Sequence, residues 1–190
     1  MTDTKKLSNG RRLKAVDMAY IALAAVLIAV CSWTSIPGAV PYTLQTFAVF
    51  FTLSLLGGKR GTLAVTVYLL LGAVGVPVFA EFSGGLGSLL GATGGYLVGF
   101  LAIALCYWAA TARFGRGTAV KVVSLSVGLL LCYAFGTLWF AHVYGGGGAV
   151  SFGTALMWCV VPFVLPDAAK LALALTTAGL LEKRLPGKFN

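Results

Sequence analysis

The chain has 190 residues, of which 59% are hydrophobic and only 10% charged, with a formal net charge of +9 and a mean hydropathy of +0.94. Soluble domains are about 45–50% apolar and about 25% charged, so a disordered chain, a secreted disulfide scaffold and an ordinary cytosolic enzyme are excluded in favour of a membrane-embedded protein. Nor does the charge mark a nucleic-acid binder, which gathers Lys and Arg on one face; thirteen of the fourteen basic residues here fall in four short islands between apolar runs.

A span needs roughly 20 apolar residues to cross a hydrocarbon core of about 30 Å. The first island, Lys5, Lys6, Arg11, Arg12 and Lys14, makes residues 1–14 a basic segment expected in the cytoplasm. Asp17 follows close to Lys14, where an interfacial ion pair is expected. The first span, 16–36, has a longer apolar stretch than the roughly 7–15 residues of a signal peptide. No small-x-small site ends it cleanly, and Val30 is too large for a lipoprotein cleavage site before Cys31, so it reads as an uncleaved helix. Spans two and three, 43–57 and 62–74, flank Lys59 and Arg60. Both are short, so their ends are expected within protein or bending toward a cavity.

The loop 76–93 carries Glu81 between Phe79 and Phe82, either a solvated loop acid or part of a site wall. Within GGLGSLLGATGGYLVG, the glycines 87, 91, 95 and 99 are spaced by four, which would put them on one helix face for close helix contact. The spacing misses the G-x-G-x-x-G fingerprint, and no G-x-x-x-x-G-K-[ST] occurs anywhere, so nucleotide binding is not expected. Span four covers 94–111 and is followed by Arg113, Arg116 and Lys121; span five covers 120–143. The sixth ends near Leu181, is interrupted by Pro162 and Pro166, and precedes Lys183, Arg184 and Lys188.

Six spans with a cytoplasmic N-terminus put all four islands on the cytoplasmic side, while the opposite loops 37–41, 76–93 and 144–153 contain no Lys or Arg. That is a clean positive-inside pattern, and it holds only for an even number of spans. The expectation is an all-α membrane protein, a six-transmembrane-helix bundle with both termini inside. No repeat and no long linker divides it, so residues 1–190 are expected to form a single domain.

The fourteenth basic residue, Lys170, lies inside an apolar run with Asp167, just after Pro166. Proline and an acid both suit a helix start, so the last helix is expected to begin near Pro166. At about 1.5 Å per residue, Asp167 lies roughly 24 Å from Lys183, in the outer third of the bilayer. The i, i+3 spacing puts Asp167 and Lys170 on one face. They read either as a structural pair or as a ligand site; intramembrane charge is costly enough to favour the ligand site. A carboxylate accepts N–H bonds and an ammonium donates to an oxygen, which suits a small solute carrying both amide-like donors and an oxygen. Tyr42, Thr43 and Gln45 at the outer end of the second span, and Thr93, Gly95 and Tyr96 at the start of the fourth, are placed to contribute. Trp33, Phe79, Phe82 and Trp158 could supply apolar walls.

Enzymatic readings lack their groups, and no catalytic residue is assigned. His142 has no acid nearby, no G-x-S-G occurs, and a paired-aspartate protease would need a second intramembrane Asp. The four cysteines lie in apolar stretches without a C-x-x-C, so no metal and no cofactor is expected.

Three stretches, VPYTLQTFAVF at 40–50, VYLLLGAVGVPVFAEFSGGLGSLLGATGGYLVGF at 67–100 and PFVLPDAAK at 162–170, together resemble the BioY family of biotin transporters. These are substrate-binding S components of energy-coupling factor (ECF) transporters. The likeness covers nearly the whole chain in order. The chain departs from the family's usual GPTGGY run by having Ala92 in place of proline, and it has Glu81 where a small or polar residue is usual. The resemblance implies a six-helix S-component fold in a bacterial or archaeal cytoplasmic membrane and capture of biotin on the outer side. It assigns Asp167 and Lys170 as the family's polar pair, expected to grip the bicyclic head of biotin with Gln45, Thr43, Tyr42, Phe79, Glu81, Thr93, Gly95 and Tyr96 around it. It further implies a transmembrane coupling subunit and two cytoplasmic ATPases as partners. The small-x-x-x-small face of Ala25 and Ala29 matches the family's Ala-rich coupling motif and is either a partner contact or internal packing. A biotin binder working without such partners, and an S component for another small vitamin-like solute, are the alternative readings.

Overall fold

The computed structural model describes residues 14–38, 40–144 and 151–184. Lys5, Lys6, Arg11, Arg12 and Lys188 of the basic islands, and most of the third outer loop, lie outside the described residues. The first helix, α1 (Ala15–Trp33), starts where the Asp17 carboxylate accepts the Lys14 backbone N–H at 3.0 Å, an acid in the first turn that also suits the helix dipole. The partner of Asp17 is not the Lys14 ammonium but Arg60, at 3.0 Å. The helix stops three residues short of the expected Ile36, because Ser35–Ile36 (β1) pairs antiparallel with Tyr42–Thr43 (β2) in a small hairpin, register Ser35↔Thr43.

Spans two and three form one continuous element, α2 (Gln45–Ala73), broken at Gly57. With φ 79° and ψ 174°, Gly57 occupies backbone space that is open essentially to glycine alone. Residues eight apart in a straight helix are separated by roughly 12 Å. Here a Cβ on Gly61 would lie 3.0 Å from the Leu53 Cα, and Gln45 reaches Tyr68 at 2.6 Å. The two arms, 45–56 and 58–73, therefore fold back on each other as a helical hairpin. The expected loop of several residues is a one-residue turn, and Lys59 and Arg60 belong to the second arm.

A long connection follows, with a 3-10 turn at Ala80–Phe82 and a short helix α3 (Leu86–Leu90). Next come α4 (Gly94–Phe114), α5 (Thr118–Tyr144), α6 (Phe152–Cys159) and α7 (Val161–Arg184). The glycines spaced by four do not share one helix: the chain extends at Gly91 (ψ 178°) before α4 begins. Gly95 and Gly99 do bring α4 against α5, because a Cβ on Gly99 would meet Cys132 and one on Gly95 would meet Trp139. The last helix begins at Val161, one turn before the expected Pro166, and carries Pro166 inside it. Asp167 is thus within the helix rather than at its start.

Helices 15–33, 94–114 and 118–144, and the combined run 152–184, are long and apolar enough to cross a membrane. Leu23, Leu130, Leu165 and Leu173 are exposed on their outer faces, as lipid-facing side chains would be and as a soluble surface would not. With the two arms of α2, the result is an all-α six-helix bundle. Its core runs through Ile28, Phe50, Tyr68, Phe79, Tyr107 and Phe140, all fully buried.

At one end of the bundle, Arg116 and Lys121 donate to the Ser54 carbonyl and to Glu182, with Arg116 also reaching the Leu55 carbonyl. These are the carbonyls that the break at Gly57 deprives of helical partners. Apart from Lys170, the described basic residues gather at this end, opposite the cavity considered next.

Candidate functional site

At the other end the helix termini and two connecting segments enclose a cavity of about 180 Å³. The connection between α1 and α2 contributes Val40, Pro41 and Thr43, and the start of α2 contributes Gln45 and Thr46. The connection after α2 contributes Phe79, Ala80, Glu81, Ser83 and Ser88. Thr93 stands just before α4, and from the helices come Tyr96, Leu97 and Phe100 on α4, Leu129, Cys132 and Tyr133 on α5, Cys159 on α6, and Phe163, Asp167 and Lys170 on α7. The walls combine apolar surface with polar groups contributed by several segments, the mixture that fixes a small molecule's orientation.

The polar centre is Asp167, 2% exposed, with Lys170, 7% exposed. Their i, i+3 spacing closes an ion pair, Lys170 Nζ to Asp167 Oδ1 at 2.8 Å. Thr46 donates to the same oxygen at 3.0 Å and accepts from Lys170 at 3.3 Å. Tyr133 donates to the other oxygen, Oδ2, at 2.6 Å. The ammonium also sits over the Tyr42 ring, 4.5 Å from its centroid, and that ring stacks on Phe163. Every donor of Lys170 is therefore engaged, by Asp167, by Thr46 and by the ring face. A ligand oxygen reaching Lys170 has to displace one of these.

Gln45 is fixed by its Nε2, which donates to the Tyr68 hydroxyl at 2.6 Å. Tyr68 in turn packs edge-on against Phe79, whose ring fills the space that a side chain on Gly72 would occupy. Tyr96 is held by Thr137, hydroxyl to hydroxyl at 2.9 Å. The connection after α2 is fastened to α1: Ser32 donates to the Val78 carbonyl at 2.6 Å, Trp33 Nε1 donates to the Pro77 carbonyl at 2.9 Å, and Trp33 stacks on Phe82. Glu81 and Phe82 take left-handed conformations there, φ 57° and 56°. For residues other than glycine this is backbone strain, held by the surrounding contacts.

Eight of the ten expected substrate-site residues line this cavity: Asp167, Lys170, Gln45, Thr43, Phe79, Glu81, Thr93 and Tyr96. Tyr42 stands behind Lys170 rather than in the lining, and Gly95 faces α5 at Trp139 and Gly136. Of the expected aromatic walls, Trp33 and Phe82 clamp the connection after α2, and Trp158 is half exposed. Ala25 and Ala29, read as either a partner contact or internal packing, are 2% and 5% exposed and pack inside the bundle core. The outward face of α1 carries Ala15, Ala19 and Ala22 instead. Thr46, Tyr133, Phe100, Leu129 and Phe163 were not anticipated. Thr46 adjoins Gln45, while Tyr133 sits in the apolar run LLLCYAF, where nothing local singles it out.

The family model described as the BioY family matches residues 4–187. A probable biotin transporter BioY of Pyrococcus horikoshii is 39% identical over 176 residues, covering 92% of this chain and 99% of that one. The biotin transporter BioY of Thermotoga maritima is 44% identical over 159 residues, covering 83% and 90%. The fold is that of a crystal structure of the S-component for biotin from an ECF-type ABC transporter, with a TM-score of 0.78 at 24% identity over 93% of this chain and 95% of that one. An apolar helical bundle, a buried Asp–Lys pair at its mouth and a family match along nearly its whole length lead to one conclusion: this chain is an integral membrane protein belonging to the BioY family.

Proposed function

We propose that this chain captures biotin in the cavity around Asp167 and carries it across the membrane as the S component of an ECF-type transporter. The observation that carries the reading is the buried Asp167–Lys170–Thr46–Tyr133 network facing a cavity that also carries apolar surface from Phe79, Phe100, Leu129 and Phe163. Biotin presents a ureido ring with two N–H donors and a carbonyl, a thioether ring and an aliphatic chain. The carboxylate accepts a ureido N–H, while Phe79, Phe100, Leu129 and Phe163 supply apolar surface for the remainder. The connections bearing Val40–Thr43 and Phe79–Ser88 close over the bound molecule from the outside.

The chain forms one domain, with residues 1–14 and both termini in the cytoplasm, as the basic islands argue. Since the sequence has no nucleotide-binding motif, energy comes from partners: a transmembrane coupling subunit and two cytoplasmic ATPases. A partner helix docking along α1 would meet Ala15, Ala19 and Ala22, the small residues on its exposed side.

The test is biotin binding by the purified protein, read as thermal stabilisation on adding biotin. Asp167→Asn should still fold, at lower stability because it leaves Lys170 without its anion, and weaken binding by roughly 10–100-fold, the size of a lost hydrogen bond to a charged group. Wild-type protein that biotin does not stabilise would sink the functional reading, and wild-type affinity in Asp167→Asn would sink the site.

A further inference from the structure

A carboxylate has about four acceptor positions, two on each oxygen. In Asp167 both positions on Oδ1 are occupied, by Thr46 at 3.0 Å and Lys170 at 2.8 Å. One of the two on Oδ2 is taken by Tyr133 at 2.6 Å. Asp167 is 2% exposed and Tyr133 8%, so bulk water does not compete for these bonds. We propose that Tyr133 is a specificity-determining residue of this site: by donating its phenolic proton to Asp167 it leaves the carboxylate room for a single ligand N–H, so that the site selects a neutral urea over a cationic, guanidinium-like group.

Two physical effects act in the same direction. A guanidinium group meets a carboxylate best with two N–H donors at once, and the filled positions on Asp167 deny it the second. The three donors around Asp167, one of them an ammonium, also spread its negative charge and weaken its pull on a further cation. A neutral ureido ring asks for one acceptor at Asp167 and is satisfied by the position that remains. Removing the Tyr133 hydroxyl opens a second position on Oδ2 and restores negative potential at the carboxylate.

This inference rests on the biotin reading above, and its test separates the two. Binding of biotin and of 2-iminobiotin, in which a protonatable imine replaces the ureido oxygen, is measured for wild type and Tyr133→Phe. The preference of wild type for biotin over 2-iminobiotin should shrink in Tyr133→Phe by roughly tenfold, the size of one charge-assisted hydrogen bond. A shrinkage of about threefold or more supports the assignment, and a smaller change or an increase overturns it. A merely structural Tyr133 would weaken both ligands alike and leave the ratio unmoved. If Tyr133→Phe does not fold, Thr46→Val carries the same test, because it vacates a position on Oδ1 and should shrink the preference likewise. Wild-type protein that binds no biotin overturns the functional reading itself, whereas intact biotin binding with an unmoved ratio overturns this inference alone.

Discussion

Lys170→Met should destabilise the bundle by about 3–5 kcal/mol, because it leaves the Asp167 carboxylate as a buried charge without its cation. The paired substitution Asp167→Leu with Lys170→Met should recover most of that loss while leaving the protein unable to hold biotin. Thermal unfolding in detergent, with and without biotin, separates the two effects. If the double variant were as unstable as Lys170→Met, the loss would come from packing rather than stranded charge. The pair was legible in the sequence because two charges inside an apolar run stand out on cost alone. Its hydrogen-bond partners were not. Thr46 lies 121 positions before Asp167 and Tyr133 lies 34 before it, and neither residue type is unusual in a membrane helix.

Individual elements show where local sequence rules hold and where packing overrides them. The two short spans were visible as spans, but the sharpness of the turn between them comes from the break at Gly57 and the close approach of Gly61 to Leu53. The proline rule placed the start of α7 at Pro166, whereas the helix runs through that residue from Val161, its first turn packed beside α6. The spacing of Ala25 and Ala29 identified a small face and left its destination open between a partner and the bundle; in the structure that face packs into the core. A helix with small residues on more than one side can turn either side inward, and in α1 the bulky exposed side chains Leu23, Val26 and Val30 face outward instead. Ala25→Leu should therefore cost about 1–3 kcal/mol by overpacking the core. Ala19→Leu, on the exposed side, should change stability by less than about 0.5 kcal/mol. Equal loss of thermal stability in the two variants would contradict this placement of the faces.

Over the whole molecule, the same three helices are tied together at both ends. The first arm of α2, α5 and α7 meet at one end through Thr46, Tyr133 and Asp167, and at the other through Ser54, Lys121 and Glu182. The second knot, with Arg116, involves residues that the sequence marked only as topology signals, so charges that read as orientation signals also cap the broken helix. Orientation itself is open to a direct measurement. Single cysteines at Lys59 and Arg113, both exposed at the end opposite the cavity, should react with a membrane-impermeant thiol reagent only after the membrane is opened. Labelling from outside in intact cells would overturn the proposed topology.

By itself, the sequence determined the membrane setting, the six spans and the one charged pair worth following. Each of these depends on composition or on spacing along a single helix, where hydrophobicity and helical geometry leave few choices. Only the tertiary structure decided which face of α1 is buried, how sharply α2 reverses, and which groups surround Asp167. Those depend on side chains brought together from distant parts of the chain, and nothing in local periodicity says which residue of one helix will meet which residue of another.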